Sequence, residues 1–123
     1  PLLLIKDLKL ALKEFLKKRA DCLLPIAQHR SSPLRSIKLN KNNKVEFFFS
    51  KFQKYRSKDL KKLYFDTGTF YIFKKDVILK KKFDVFPKNT VPFLIDSLRS
   101  VDINEYKDLE DAKKIYKFLF KKN

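Results

Sequence analysis

The sequence predicts an α/β fold, a mixed sheet layered with helices and carrying a protruding β-hairpin. Two observations predict the layers. Short apolar runs at residues 23–27, 69–73 and 91–95 have the length and composition of strands. Segments of helical apolar spacing alternate with them, at residues 6–19, 75–82 and 106–120. A third observation bounds the architecture: no repeat, low-complexity tract or linker interrupts the chain. Residues 1–123 therefore read as one domain with a modest core.

The elements follow in order. In residues 6–19, Leu8, Leu12, Phe15 and Leu16 recur at helical spacing with lysines opposite, an amphipathic helix. Residues 23–27 form a short apolar strand, and residues 28–36 a polar loop containing Pro33. Residues 37–40 and 45–49 flank Lys41-Asn-Asn-Lys44, a hairpin with an asparagine turn. Its Phe47, Phe48 and Phe49 are too apolar for a free edge and call for a packing partner, another element or another subunit. Ser57 is positioned to cap a short helix over residues 57–60. Residues 69–73 are an aromatic strand, 75–82 a short helix, and 91–95 a further strand. The last helix presents Leu109, Ala112, Tyr116, Leu119 and Phe120 on one face.

Charge and composition exclude several classes. At 44% hydrophobic the chain is globular, and no apolar run approaches the ~20 residues of a membrane span, so no membrane partner is expected. The run from Pro1 to Ile5 has no basic segment before it and does not read as a signal peptide. Cys22 has no second cysteine to pair with, and its apolar surroundings read as core. A reducing, cytoplasmic location is the expectation. The absence of methionine, with Pro1 first, suggests a piece of something longer. The net charge is +16, but the cations are lysines except for Arg19, Arg30, Arg35, Arg56 and Arg99. Abundant Lys, Phe, Ile and Asn with scarce Gly and Ala is the composition an A/T-rich genome encodes. Specific nucleic-acid readers favour arginine. The charge is thus read as bias plus solvated faces, nucleic acid is not expected as a partner, and the arginines are the informative cations.

Three loops carry polar groups suited to chemistry. One is Ser31-Ser-Pro-Leu-Arg35-Ser36. A second is Arg56-Ser-Lys58-Asp59, leading to Asp66-Thr67-Gly68 with Tyr71 beyond. A third is Ser100-Val-Asp102-Ile-Asn104, followed by Asp108. Gly68 is the chain's single glycine, and its position before an aromatic strand suggests a backbone that something approaches closely. Each loop also has an ordinary structural reading: Ser57 and Asn104 as caps, Asp108 as a complement to a helix dipole.

In order and spacing these segments resemble the C-terminal half of the nonulosonic acid cytidylyltransferases, the enzymes that activate sialic and pseudaminic acids. That family carries a Pro-x-basic loop, a hairpin, an Arg-Ser-Gln-Asp-Leu-Pro type segment leading to Asp-Ala-Gly or Asn-Gly, and a Ser-x-Asp-Ile-Asp motif before the last helix. Here they stand as Pro33-Leu-Arg35, Arg56-Ser-Lys-Asp-Leu-Lys61, Asp66-Thr-Gly68-Thr-Phe-Tyr71 and Ser100-Val-Asp102-Ile-Asn104. The Asp-x-Gly form leans toward the pseudaminic branch. The resemblance implies the C-terminal part of a Rossmann-like, nucleotide-diphospho-sugar-transferase-like sheet. It implies transfer of CMP from CTP to the anomeric hydroxyl of a nine-carbon sugar acid, with release of pyrophosphate. It implies Arg35, Arg56, Lys58, Asp66, Thr67, Gly68 and Tyr71 at the substrate, with Arg56 and Asp102 catalytic. Mg²⁺ or Mn²⁺ would sit at Asp102 and Asn104, and a homodimer would form in which the hairpin reaches the partner.

Three departures limit what is expected. Asn104 replaces the family's second aspartate, which removes one negative charge from the metal site. Lys58 and Lys61 replace its glutamine and proline. The Gly-rich basic loop that cradles CTP, carried by the family's N-terminal half, has no counterpart in this chain, so the isolated chain is not expected to turn over. The alternatives are a basic module for nucleic acid or an anionic surface, and an inactive oligomerising remnant.

Overall fold

The structure, a computed structural model, describes residues 2–79 and 86–120. The expected helix over 75–82 lies partly outside these. The chain divides into two compact units, Pro1–Ala27 with Asp66–Asn123, and Gln28–Phe65.

The first unit is built on helix α1 (Ile5–Lys17) and strand β1 (Cys22–Gln28). With almost no glycine available, α1 ends on Arg19 in the left-handed region at φ 49°. Ala20 N–H reaches Phe15 O at 3.1 Å and Arg19 N–H reaches Leu16 O at 3.1 Å, the paired bonds of a Schellman end. The Arg19 carbonyl then accepts from Lys74 Nζ and Asn89 Nδ2. Strand β4 (Tyr64–Asp66) and strand β5 (Ile72–Phe73) are both neighbours of β1 in the sheet. β5 is antiparallel to β1, and β6 (Thr90–Leu94) is parallel to it, with Ile26 opposite Leu94. The sheet is therefore mixed, as expected. Ile95 N–H donates to Ile26 O at 2.9 Å. That register turns the backbone groups of Thr90, Pro92 and Leu94 away from β1, so Pro92 falls where it has no N–H to contribute to that ladder. Helices α2 (Lys75–Leu79) and α3 (Tyr106–Phe120) complete the unit.

Both helix faces match expectation in part: Phe15 of α1 and Ala112 of α3 are buried as expected, and the rest of each face differs. On α1 the buried side chains are Asp7, Ala11 and Phe15, whereas Leu8, Leu12 and Leu16 are exposed. Ala11 and Phe15 pack with Ala20 and Leu23, and Phe70, Ile72, Val91 and Phe93 close over them. Two causes turn the helix this way. Ala11 is small enough to let the backbone approach the sheet, and Asp7 is pulled inward by Arg99. On α3 only Ala112 is buried, and Tyr116, Leu119 and Phe120 are exposed. Cys22 is fully buried, as expected, and burial pushes its thiol up from its ordinary value, against a lowering hydrogen bond with Thr90.

The second unit holds the hairpin, β2 (Ile37–Leu39) against β3 (Val45–Phe47), antiparallel with Lys38 opposite Glu46. Asparagine chemistry makes its turn: Asn40 Oδ1 accepts from the N–H groups of Asn42 and Lys44, both at 3.0 Å, and Asn43 takes φ 58°. Phe48 and Phe49 are exposed, with ring centroids 4.9 Å apart. Short 3-10 turns occupy Pro33–Arg35, Ser50–Phe52 and Ser57–Asp59. The last of these corrects the cap expected at Ser57: the preceding Arg56 is the boundary residue, and no side chain caps the turn.

Candidate functional site

The polar residues singled out in the sequence fall into three constellations. In the second unit, Arg35 lies in the Pro33–Arg35 turn, where its Nη1 donates to Tyr55 O at 2.7 Å and its guanidinium sits 5.9 Å from the Phe47 ring centre. It lines a cleft of about 440 Å³ with His29, Ser31, Ser32, Ser36 and Ser57. Arg56 and Lys58 flank Ser57 and are exposed. Arg56 Nε is held by Asp59 Oδ2 at 3.0 Å, a pair one turn long, with 73% of the arginine side chain still open to solvent. Such an exposed pair orients more than it stabilises.

The second constellation is the turn at Gly68. Thr67 is buried, and both its N–H and its hydroxyl donate to the carbonyl of Pro25, at 3.1 and 3.2 Å. Asp66 Oδ1 accepts Gly68 N–H at 2.9 Å, and Asp66 Oδ2 accepts the Tyr71 hydroxyl at 2.8 Å. That bond to Asp66, with burial and the aspartate's negative charge, raises the Tyr71 phenol above its ordinary value. Gly68 has φ 62°, and a Cβ built on it meets nothing within 4 Å. The glycine is thus required by its own backbone angle, and the expected close approach of another group is absent among the described residues. Of the strand expected over residues 69–73, Ile72–Phe73 pairs in the sheet.

The third is the loop before α3. Asn104 Nδ2 donates to Asp102 Oδ2 at 3.1 Å, and both residues are exposed. Asp108, at the helix start, accepts the N–H groups of Glu105 and Asn104 at 2.9 and 3.0 Å. These two bonds, Glu105 first, hold its carboxyl below the usual carboxylate range. Asp108 rather than Asn104 therefore does the capping. Among the described residues no group of three or more His, Cys, Asp or Glu side chains could enclose a metal ion. The donors present still suit a hard cation that takes one or two protein oxygens and completes its shell from phosphate and water. Asp102 supplies a carboxylate and Asn104 an amide oxygen.

Sequence reasoning missed His29, whose ring stacks at a tilt on Phe65 at 4.9 Å and which lines both polar clefts of its unit. A lone histidine in a basic loop gives no periodic or motif signal. Among the described residues no helix is long and apolar enough to cross a membrane.

The chain is similar in sequence to two curated proteins named as cytidylyltransferases. The relatives are pseudaminic acid cytidylyltransferases of Campylobacter jejuni subsp. jejuni. The protein of serotype O:23/36 is 35% identical over 117 residues, which is 95% of this chain and 50% of the relative. That of serotype O:2 is 36% identical over 116 residues, 94% of this chain and 50% of the relative. The chain thus spans about half the length of the curated relatives it matches, consistent with a C-terminal half. No family model matches the chain.

Proposed function

We propose that the chain forms the sugar-acid half of a cytidylyltransferase that transfers CMP from CTP to a nine-carbon sugar acid of the pseudaminic type. The observation that carries this reading is the identity of 35–36% to pseudaminic acid cytidylyltransferases across nearly the whole chain. In this reading the anomeric hydroxyl attacks the α-phosphate of CTP and pyrophosphate leaves. The protein's task is positioning and charge neutralisation. Arg35, Arg56 and Lys58 hold the carboxylate and phosphate oxygens. Asp66 positions Gly68 and Tyr71, the turn that faces the sugar, and Thr67 ties that turn to β1. Asp102 and Asn104 hold Mg²⁺ or Mn²⁺, which when bound neutralises phosphate charge.

CTP itself is held mainly by the half of the relatives that this chain does not match. The parallel β1–β6 pair is, in this reading, part of a Rossmann-like sheet shared with that half, and the reaction takes place in the cytoplasm. The exposed Phe48 and Phe49 serve a homodimer contact.

Replacing Arg56 by Ala, in a protein carrying both halves, tests the assignment. We expect kcat/KM for the sugar acid to fall about 100-fold, the worth of two charge-assisted hydrogen bonds, with KM for CTP unchanged. An unchanged kcat/KM would overturn it. Asn104→Asp restores a carboxylate to the metal loop and should tighten Mn²⁺ binding several-fold in a titration. An identical isotherm would remove the metal from this loop.

A further inference from the structure

We propose that Asp7 and Arg99 are positioning residues: their ion pair holds the Asp102–Asn104 loop in place for a divalent cation. The proposal rests on the cytidylyltransferase reading, which puts the cation at Asp102 and Asn104. The loop is tied at both ends. Upstream, Ser97–Arg99 form a 3-10 turn capped by Asp96, whose Oδ1 accepts Leu98 N–H at 2.8 Å. The Asp96 carbonyl takes Arg99 N–H at 2.9 Å, and the Ser100 hydroxyl donates to Ser97 O at 2.8 Å. Downstream, Asp108 accepts the N–H groups of Asn104 and Glu105 at the start of α3. Asp102 lies midway between Ser100 and Asn104, and the Asn104 amide donates to its Oδ2 at 3.1 Å.

Those upstream ties are local. They shape the turn without fixing it to the rest of the molecule. Arg99 supplies that attachment. Its guanidinium donates to both oxygens of Asp7, 92 positions away in the first turn of α1. Asp7 is held in turn by Leu4 N–H at 3.1 Å. Only 16% of the arginine and 7% of the aspartate side chain are exposed, whereas the Lys74–Asp21 pair leaves 46% and 34% open. A shielded two-pronged contact fixes orientation as well as distance, which an open pair does not. Donors already in place lose less freedom when a cation arrives. With one carboxylate and one amide in the loop, affinity leans on that preorganisation more than it would with two carboxylates. The pair has a second effect. Arg99 stands three residues before Asp102, and its engagement with Asp7 keeps a positive charge from competing for the carboxylate meant for the cation.

The test follows Mn²⁺ binding to the chain itself, through paramagnetic broadening of the Asp102, Ile103 and Asn104 amide resonances. We expect saturable broadening in the native chain. Arg99→Lys keeps the charge but gives up the two-pronged contact, and should weaken the cation about fivefold. Asp7→Asn should weaken it about tenfold, because the released Arg99 also competes for Asp102. Arg99→Lys carries the test alone if Asp7→Asn does not fold. Leu23→Val loosens the core of the same unit without touching the pair, and should leave affinity within about twofold. Native affinity in Arg99→Lys, or an equal loss in Leu23→Val, would overturn the positioning role and leave the metal reading standing. No saturable broadening of the loop in the native chain would remove the metal from it, and the role of the pair with it.

Discussion

Asp7 is the residue on which the most structure turns. Its Oδ2 accepts Leu4 N–H at 3.1 Å, half of a capping box at the start of α1. Arg99 donates to both of its oxygens, from Nη1 to Oδ2 and from Nη2 to Oδ1 at 3.3 Å. Burial alone pushes the carboxyl up. The bonds from Arg99 and Leu4, with the charges of Arg99 and Lys6, outweigh it and leave the carboxyl below its ordinary value. A depressed carboxyl contributes stability that is present above its unfolded pKa, about 4, and is lost as pH falls through its lower folded value. Stability to urea should therefore drop more steeply below pH 4 in the native chain than in Asp7→Asn. Parallel acid profiles would sink that assignment. At neutral pH Asp7→Asn leaves a nearly buried guanidinium without its counter-ion, and we expect a loss of about 2–4 kcal/mol. The arginines were legible as the informative cations, yet Arg99 is spent internally. Nothing in the sequence joins positions 7 and 99, because the pairing exists only once the fold brings them together.

At the scale of elements, the turn between β4 and β5 is a local hydrogen-bonded unit. Asp66 ties its two ends, Gly68 supplies the positive angle, and Thr67 anchors it to β1 through the Pro25 carbonyl. Because open space surrounds Gly68, a methyl group there meets only the backbone penalty. Gly68→Ala should cost about 1–2 kcal/mol in urea unfolding, and Gly68→Asn distinctly less, since asparagine tolerates that angle. Equal losses for the two would mean that space, not conformation, selects glycine. The element order was legible in the sequence: α1, the hairpin, β6 and α3 fall within a residue or two of expectation. The buried faces of the helices were not. Apolar spacing suggested Leu8, Leu12, Phe15 and Leu16 as the core of α1; Phe15 is buried, but Ala11 and the Asp7–Arg99 pair turn the helix away from the three leucines. Hydrophobicity ranks side chains one by one, whereas the contact face depends on which small residue lets a backbone come close. β4 also escaped notice, because Tyr64–Asp66 is a three-residue strand preceded by lysines rather than by a turn signal.

For the whole molecule, the balance of apolar surface is the telling feature. Among the described residues, the large aliphatic and aromatic side chains that are buried are Leu2, Phe15, Leu23 and Ile95. Ile5, Leu16, Phe48, Leu94 and Phe118 are among those left exposed. The relatives that the chain matches are about twice as long as it is. The candidate site was legible as loops and not as a cavity. Arg35, Gly68 and Asp102 each stand in a motif, while the donor-lined clefts around Ser32 depend on side chains that converge from residues 28–37 and 57–63.

Pro92 changes what the outer side of β6 offers to another strand. Its ring sits on the side of β6 turned away from β1, midway along a five-residue strand that would otherwise offer an unbroken template to a stray chain. With the N–H missing there, an incoming strand loses a bond at the centre of its run, and edge-to-edge growth is disfavoured. Pro92→Thr should keep the fold and shorten the lag before thioflavin-positive fibrils form, and an unchanged lag would discount the edge. A net charge of +16 adds repulsion at a distance. One imino acid thus removes the central backbone donor that an added strand would need, independent of anything the chain binds.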